Sequence, residues 1–340
     1  MRSPTVTHDA RPRSRTIARA IKGLVLTIAG IGLLGAAPDG SSKSSELMLA
    51  PYLPRSAHQA YGYRLAIDGF RGTAAKDWVL ASARAVTEAS PAELPVDVVG
   101  AFVAEQPDAV GIAFRVAGGR RVDIEVETEP GDASTDLRSP FVDLFVVRDG
   151  RRERVESPLP LPVSAHDPVV QRLEIAALEP GEYVLRVQPE IGYAGRYRVG
   201  VRAAPLLAFP VEGMTTRAIL SGFGAERDGG ARSHRGVDIF APRGTPALAA
   251  MDAFVTRVET TTRGGNVVWL QPLFGDLRLY YAHLDTQLVR PGDFVLAGES
   301  VGTVGNTGNA ITTPPHLHFG VYVRRRGARG GARDPYPFLD

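Results

Sequence analysis

The 340-residue sequence contains no cysteine. That absence excludes disulfides, thiolate metal ligands, a cysteine nucleophile and lipid attachment through an N-terminal cysteine. Any metal must therefore be held by His, Asp or Glu, and histidine is itself scarce, with seven in the chain. A strongly basic domain is also missing. Residues 1–40 hold six of the 39 basic and two of the 37 acidic residues, which leaves 33 basic against 35 acidic in the remainder. That balance gives no footing for nucleic acid, so no nucleic-acid partner is expected. The apolar run at residues 23–37 is about 15 residues long, short of the roughly 20 that cross a membrane.

What is present points to a mainly β protein. Hydrophobic residues make up 44% and charged residues 22% of the chain, the balance of a globular protein with a real core, and 37 glycines and 26 prolines suit turn-rich β structure. Arg2, Arg11, Arg13, Arg15, Arg19 and Lys22 precede the apolar run, and small residues follow it. This is the pattern of an export segment. Residues 1–37 are read as a signal peptide or an uncleaved membrane anchor, the latter tethering the protein through residues 23–37. Residues 38–97 read as a linker and helical segment, with an amphipathic helix over residues 76–90 whose apolar stripe is Trp78, Val79, Ala85 and Val86.

Residues 98–204 change character. Short β-type runs at 110–116, 122–128, 141–147, 173–177, 183–187 and 197–201 alternate with turn signals such as Gly118-Gly119 and Pro180-Gly181. Strands at this spacing predict a β-sandwich accessory domain. Asp132 and Asp136 lie in an acidic loop that could hold calcium, although a solvated loop is the simpler reading. A basic group near the C-terminus, Arg324, Arg325, Arg326, Arg329 and Arg333, reads first as a solvated hairpin.

The histidines carry the chemistry. In the run from His316 to Val323, Leu317, Phe319, Val321 and Val323 alternate with His316, His318, Gly320 and Tyr322. A strand would put the first set on a core face and both imidazoles on the other. Upstream, His234 and Asp238 would share a strand face, with Gly236 between them leaving room for an ion. His283 ends an alternating run, so it too would project from a strand end. A His and a carboxylate joined by a second His from His316 or His318 make a three-ligand site with one open position, the catalytic form of zinc coordination. Mn²⁺ and Fe²⁺ also fit these residue types.

Several motifs fall in a recognisable order. They are Ser221-Gly222-Phe223-Gly224, His234-x-x-x-Asp238, Tyr281-Ala282-His283-Leu284, Arg290-Pro291-Gly292-Asp293, Gly302-Thr303-Val304-Gly305-Asn306-Thr307-Gly308 and His316-x-His318. Together they resemble the M23 metallopeptidases, the lysostaphin/LytM-type peptidoglycan endopeptidases, over residues 207–340. The resemblance implies an antiparallel β-sheet domain with a groove across one Zn²⁺ ion. It implies that His234, Asp238 and His318 bind the metal and that His283 and His316 flank the reaction centre. It further implies a zinc-dependent endopeptidase acting on peptide crosslinks of peptidoglycan, exported to the periplasm or cell envelope, or secreted. The competing reading is a non-catalytic wall-binding or hydrolase-regulating protein of the same fold; the intact ligand and histidine set disfavours it. The chain departs from the family pattern at Gly264-Gly265-Asn266, at Ala253 and at Pro314-Pro315, which bear on groove shape. More weakly, residues 178–199 resemble the end of a pre-peptidase C-terminal type of sandwich. Were residues 40–205 to cover the groove, the enzyme would be latent.

Overall fold

The computed structural model describes residues 56–67, 72–131, 139–156, 168–273, 277–325 and 328–339. The chain divides into two units, residues 1–54 and 55–340, and every described residue belongs to the second. The export segment, the Asp132/Asp136 loop, Arg326 and the side chains of Arg324, Arg325 and Arg329 lie outside the described residues.

Among the described residues two helices lead in, α1 (Ala57–Ile67) and α2 (Thr73–Thr87). Helix α1 falls in the stretch read as linker, since its composition carries little apolar periodicity. Helix α2 buries Ala75, Trp78, Ala81, Ser82 and Ala85, spaced three or four apart on one face, whereas Val79 is exposed. Trp78 and Ala85 of the expected stripe are thus buried and Val86 is half-buried, while Val79 faces out and Ala75, Ala81 and Ser82 complete the buried face.

Nine strands follow in two sheets that enclose one core. One sheet orders Ser90–Pro91, Val110–Val116, Gly181–Gln188, Phe141–Arg148 and Arg151–Glu156, and the other orders Val96–Phe102, Gly195–Pro205, Arg120–Pro130 and Val169–Ala177. In Arg120–Pro130, Val122, Ile124 and Val126 point inward while Arg121, Glu125 and Glu129 face water. Strand Phe141–Arg148 is buried on both faces, because the helices dock on its outer side. That contact is polar: Trp78 Nε1 donates to the Pro189 carbonyl, Gln188 Nε2 donates to the Trp78 carbonyl, and Arg186 bonds both Ser82 Oγ and Asp143 Oδ2.

The C-terminal sheet orders Ile219–Ser221, Val237–Phe240, His316–Arg325, Leu277–Gln287, Gly265–Pro272, Ala253–Thr261 and Phe294–Val295. All the pairings along it are antiparallel. Leu317, Phe319, Val321, Leu279 and Tyr281 are buried on its core side. Burial of each such side chain contributes about 1.5–3 kcal/mol. The sandwich meets the sheet from that side. Leu178 packs against this core, Leu206 and Leu207 join it, Leu206 N–H donates to the Gly119 carbonyl, and Arg333 donates to Glu179 Oε1. These contacts leave the opposite, histidine-bearing face untouched.

Candidate active site

Strand alternation sets the ligand face. With Leu317 and Phe319 in the core, His316 and His318 project from the other side. Asp238 stands directly across from His318, and Phe240 across from His316. His234 lies outside the strand, which begins at Val237. It is turned in from the preceding segment by a backbone bond to the Ala225 carbonyl. Gly236 makes no space for an ion. A Cβ there would collide with the Phe319 carbonyl and lie 2.8 Å from His318 Nε2, so the missing side chain makes room for the His318 ring.

Three ligand atoms converge. His234 Nε2 is 3.0 Å from Asp238 Oδ1 and 2.9 Å from His318 Nδ1, and His318 Nδ1 is 2.9 Å from Asp238 Oδ1. The His234 Nδ1–H donates to the Gly222 carbonyl at 2.8 Å. A carbonyl can only accept, so neutral His234 presents a lone pair to the cluster at Nε2. One proton on His318 cannot satisfy all three close pairs. A convergence of lone pairs of this kind is resolved by a cation, and two imidazoles with a carboxylate form a metal-binding set. Burial, the largest influence on Asp238, would raise its carboxyl, but the contacts with His234 and His318 outweigh it and hold the group well below the ordinary carboxylate range.

His316 and His283 sit beside this cluster. His316 Nδ1 donates to the Pro314 carbonyl at 2.9 Å, its ring stacks on Phe240 with centroids 5.0 Å apart, and its Nε2 lies 4.0 Å from Asp238 Oδ1. His283 ends no strand. It stands inside Leu277–Gln287 at an irregularity in pairing, with a left-handed φ of 62°. That conformation is costly for a residue with a Cβ. Bonds from its backbone N–H to the Gly264 carbonyl and from its Nδ1 to the Thr307 carbonyl hold it in place. The His283 ring lies 5.1 Å from that of His316 and 6.0 Å from that of His318. Burial, opposed by the Thr307 bond, lowers His283 to about 4, so it is neutral near pH 7. Both rings donate through Nδ1 and keep Nε2 free to accept a proton.

Arg227 was not legible from the sequence. Its guanidinium donates to Asp238 Oδ2 and Ser221 Oγ, both at 2.7 Å. Two motifs orient the imidazoles through their backbone: Gly222 and Thr307 supply the carbonyls that accept from His234 and His283.

A buried His/Asp/His cluster with two further imidazoles at its edge is the arrangement of a metal-dependent hydrolase. Residues 232–334 match Peptidase family M23, and this part of the chain is an M23 peptidase domain. It is 39% identical over 108 residues to a glycyl-glycine endopeptidase, ALE-1, of Staphylococcus capitis (32% of this chain, 29% of that protein). It is 36% identical over 107 residues to the peptidoglycan DD-endopeptidase ShyC of Vibrio cholerae (30% and 24%). It is 33% identical over 140 residues to an L-Ala–D-Glu endopeptidase of Bacillus subtilis (39% and 42%). The chain thus spans less than half the length of each of these relatives, and the sandwich lies outside the family match.

Proposed function

We propose that the protein is a zinc-dependent endopeptidase that hydrolyses peptide crosslinks of bacterial peptidoglycan, exported to the cell envelope. The observation that carries this reading is the convergence of His234 Nε2, Asp238 Oδ1 and His318 Nδ1 with His283 and His316 beside them, inside an M23 domain. These three atoms would hold the zinc. When bound, zinc supplies a Lewis acid that polarises the scissile carbonyl and acidifies the attacking water. The remaining work belongs to the chain. His283 and His316, each anchored through Nδ1, present Nε2 as proton acceptors. One takes a proton from the attacking water and passes it to the leaving amine, and the other, once protonated, hydrogen-bonds the developing oxyanion. Phe240 fixes the His316 ring plane by stacking.

The peptidoglycan substrate is supported by the relative named a peptidoglycan DD-endopeptidase, and the relatives are named for different bonds, glycyl-glycine and L-Ala–D-Glu among them, so the bond itself is left to experiment. Residues 98–204 act as an accessory module, resembling the pre-peptidase C-terminal type. The test is zymography on peptidoglycan with and without chelator, followed by mass spectrometry of fragments released from defined muropeptides. Clearing that chelation abolishes and zinc restores is the expected result. Binding to the wall with no clearing would favour the non-catalytic alternative.

A further inference from the structure

The histidine-bearing face of the sheet continues past the ligands. Beyond His318 it carries Gly320 and Tyr322, and neighbouring strands place Tyr280 across from Gly320, Arg278 across from Tyr322 and Trp269 across from Tyr280. The aromatics form one shelf, with ring centroids 4.4 Å apart for Trp269 and Tyr280 and 5.3 Å for Trp269 and Tyr322. The shelf adjoins the cluster, since the Tyr280 ring lies 5.8 Å from that of His318.

Two exposed arginines border it from loops. Arg235 follows the ligand His234, and its carbonyl oxygen would lie 3.3 Å from a Cβ on Gly320, so the segment runs directly over the shelf. Its guanidinium acts electrostatically on the Tyr322 phenol. Arg263 precedes Gly264, whose missing side chain lets the Tyr280 hydroxyl close on the turn, and its guanidinium acts on the Tyr280 phenol. Neither arginine forms an ion pair among the described residues. Glu259, a carboxylate acting on the same shelf, is paired with Arg257 at 3.6 Å. Among the described residues, positive charge thus stands unpaired beside an aromatic surface at the edge of the reaction centre.

Resting on the reading of the cluster as a peptide-hydrolysing centre, we propose that this shelf is a substrate subsite for a free carboxylate on the crosslinked peptide, with Arg235 and Arg263 as its specificity-determining residues. A guanidinium binds a carboxylate through two parallel hydrogen bonds, and nearby aromatic faces favour the planar cation. Tyr322 stands four residues beyond His318 on the same strand, about 13 Å at roughly 3.3 Å per residue, so the carboxylate belongs within about four extended residues of the cleaved bond. Crosslinks with carboxylate-bearing residues are thereby preferred over all-glycine bridges, which offer this shelf nothing to bind.

Calorimetric titration of the full chain tests this, using two crosslinked peptides whose scissile amide is replaced by a methylene-amine. The peptides are identical except that one carries a free carboxylate and the other its carboxamide. The wild-type protein is expected to prefer the carboxylate about tenfold. Arg235→Gln and Arg263→Gln should each lose most of that preference with carboxamide affinity unchanged, and Arg235→Lys should recover part of it. Equal wild-type affinity for the two peptides, or parallel loss of both in the glutamine variants, overturns the subsite. Preference that persists in a protein unable to hydrolyse either parent peptide supports the subsite and overturns the assigned reaction.

Discussion

Arg227 and Asp238 meet through a single carboxylate oxygen. Arg227 Nη2 lies 2.7 Å from Asp238 Oδ2, while Oδ1 faces His234 at 3.0 Å and His318 at 2.9 Å. The carboxylate is divided between a fixed cation and the open cluster, so one oxygen is reserved for a metal. Outer partners of this kind orient ligands, and their loss typically lowers metal affinity about 10–100-fold. Arg227→Ala is expected to do so with all three ligands in place. Arg227→Lys should recover much of it, because Nη2 alone donates to both Ser221 and Asp238 and a single ammonium nitrogen can donate both bonds. Chelator competition on the purified variants measures the change, and wild-type affinity in Arg227→Ala would remove the residue from the site.

His283 and His316 touch the cluster without belonging to its three converging atoms. His283→Ala and His316→Ala should each retain zinc and lose about 10²–10⁴ in turnover. His234→Ala and Asp238→Ala should instead lose the metal. Metal analysis beside turnover on the same preparations separates the two sets. A His283 or His316 variant with near wild-type turnover, or a His234 variant with unchanged zinc stoichiometry, defeats the corresponding role.

His58 makes the helix–sandwich contact sensitive to acid. It is buried, stacks on Trp78 with centroids 4.6 Å apart, and its Nε2 lies 2.6 Å from Gln188 Oε1 and 3.3 Å from Ser82 Oγ. Burial and then the charge of Arg186, joined by Arg154, depress it to about 4 against the opposing Gln188 bond and Asp143. The unfolded chain takes this proton near its ordinary value of about 6.5. Between those values the unfolded state binds more protons. The contribution is therefore complete above about 6.5 and is lost as pH falls toward 4, on the order of 2 kcal/mol. Thermal unfolding should show a lower midpoint at pH 4.5 than at pH 7.5, with a smaller difference in His58→Gln. An undiminished pH dependence in that variant assigns the effect elsewhere.

Some of this was readable without a structure. Alternation in the last histidine strand put Leu317 and Phe319 inside and His316 and His318 outside, as found. The strand runs of the sandwich were visible for the same reason, although Val96–Phe102 and Arg151–Glu156 were not, because the first has Gly100 within it and the second is charged at five of six positions. His283 was misplaced to a strand end, since a left-handed residue inside a strand leaves no periodic trace. Gly236 was read as space for an ion, but the atoms it clears come from a strand some eighty residues away.

By itself the sequence determined the ligand chemistry and the inward and outward sides of each strand. With no cysteine, a metal could meet only imidazole and carboxylate, and side-chain direction in a strand repeats every two residues, a property of local backbone geometry. Only the tertiary structure decided that Asp238 stands across from His318, that Arg227 holds its other oxygen, and that Gly222 and Thr307 orient the rings. Register between strands and bonds to backbone carbonyls depend on pairing across long stretches of chain, and no local pattern of residues records them.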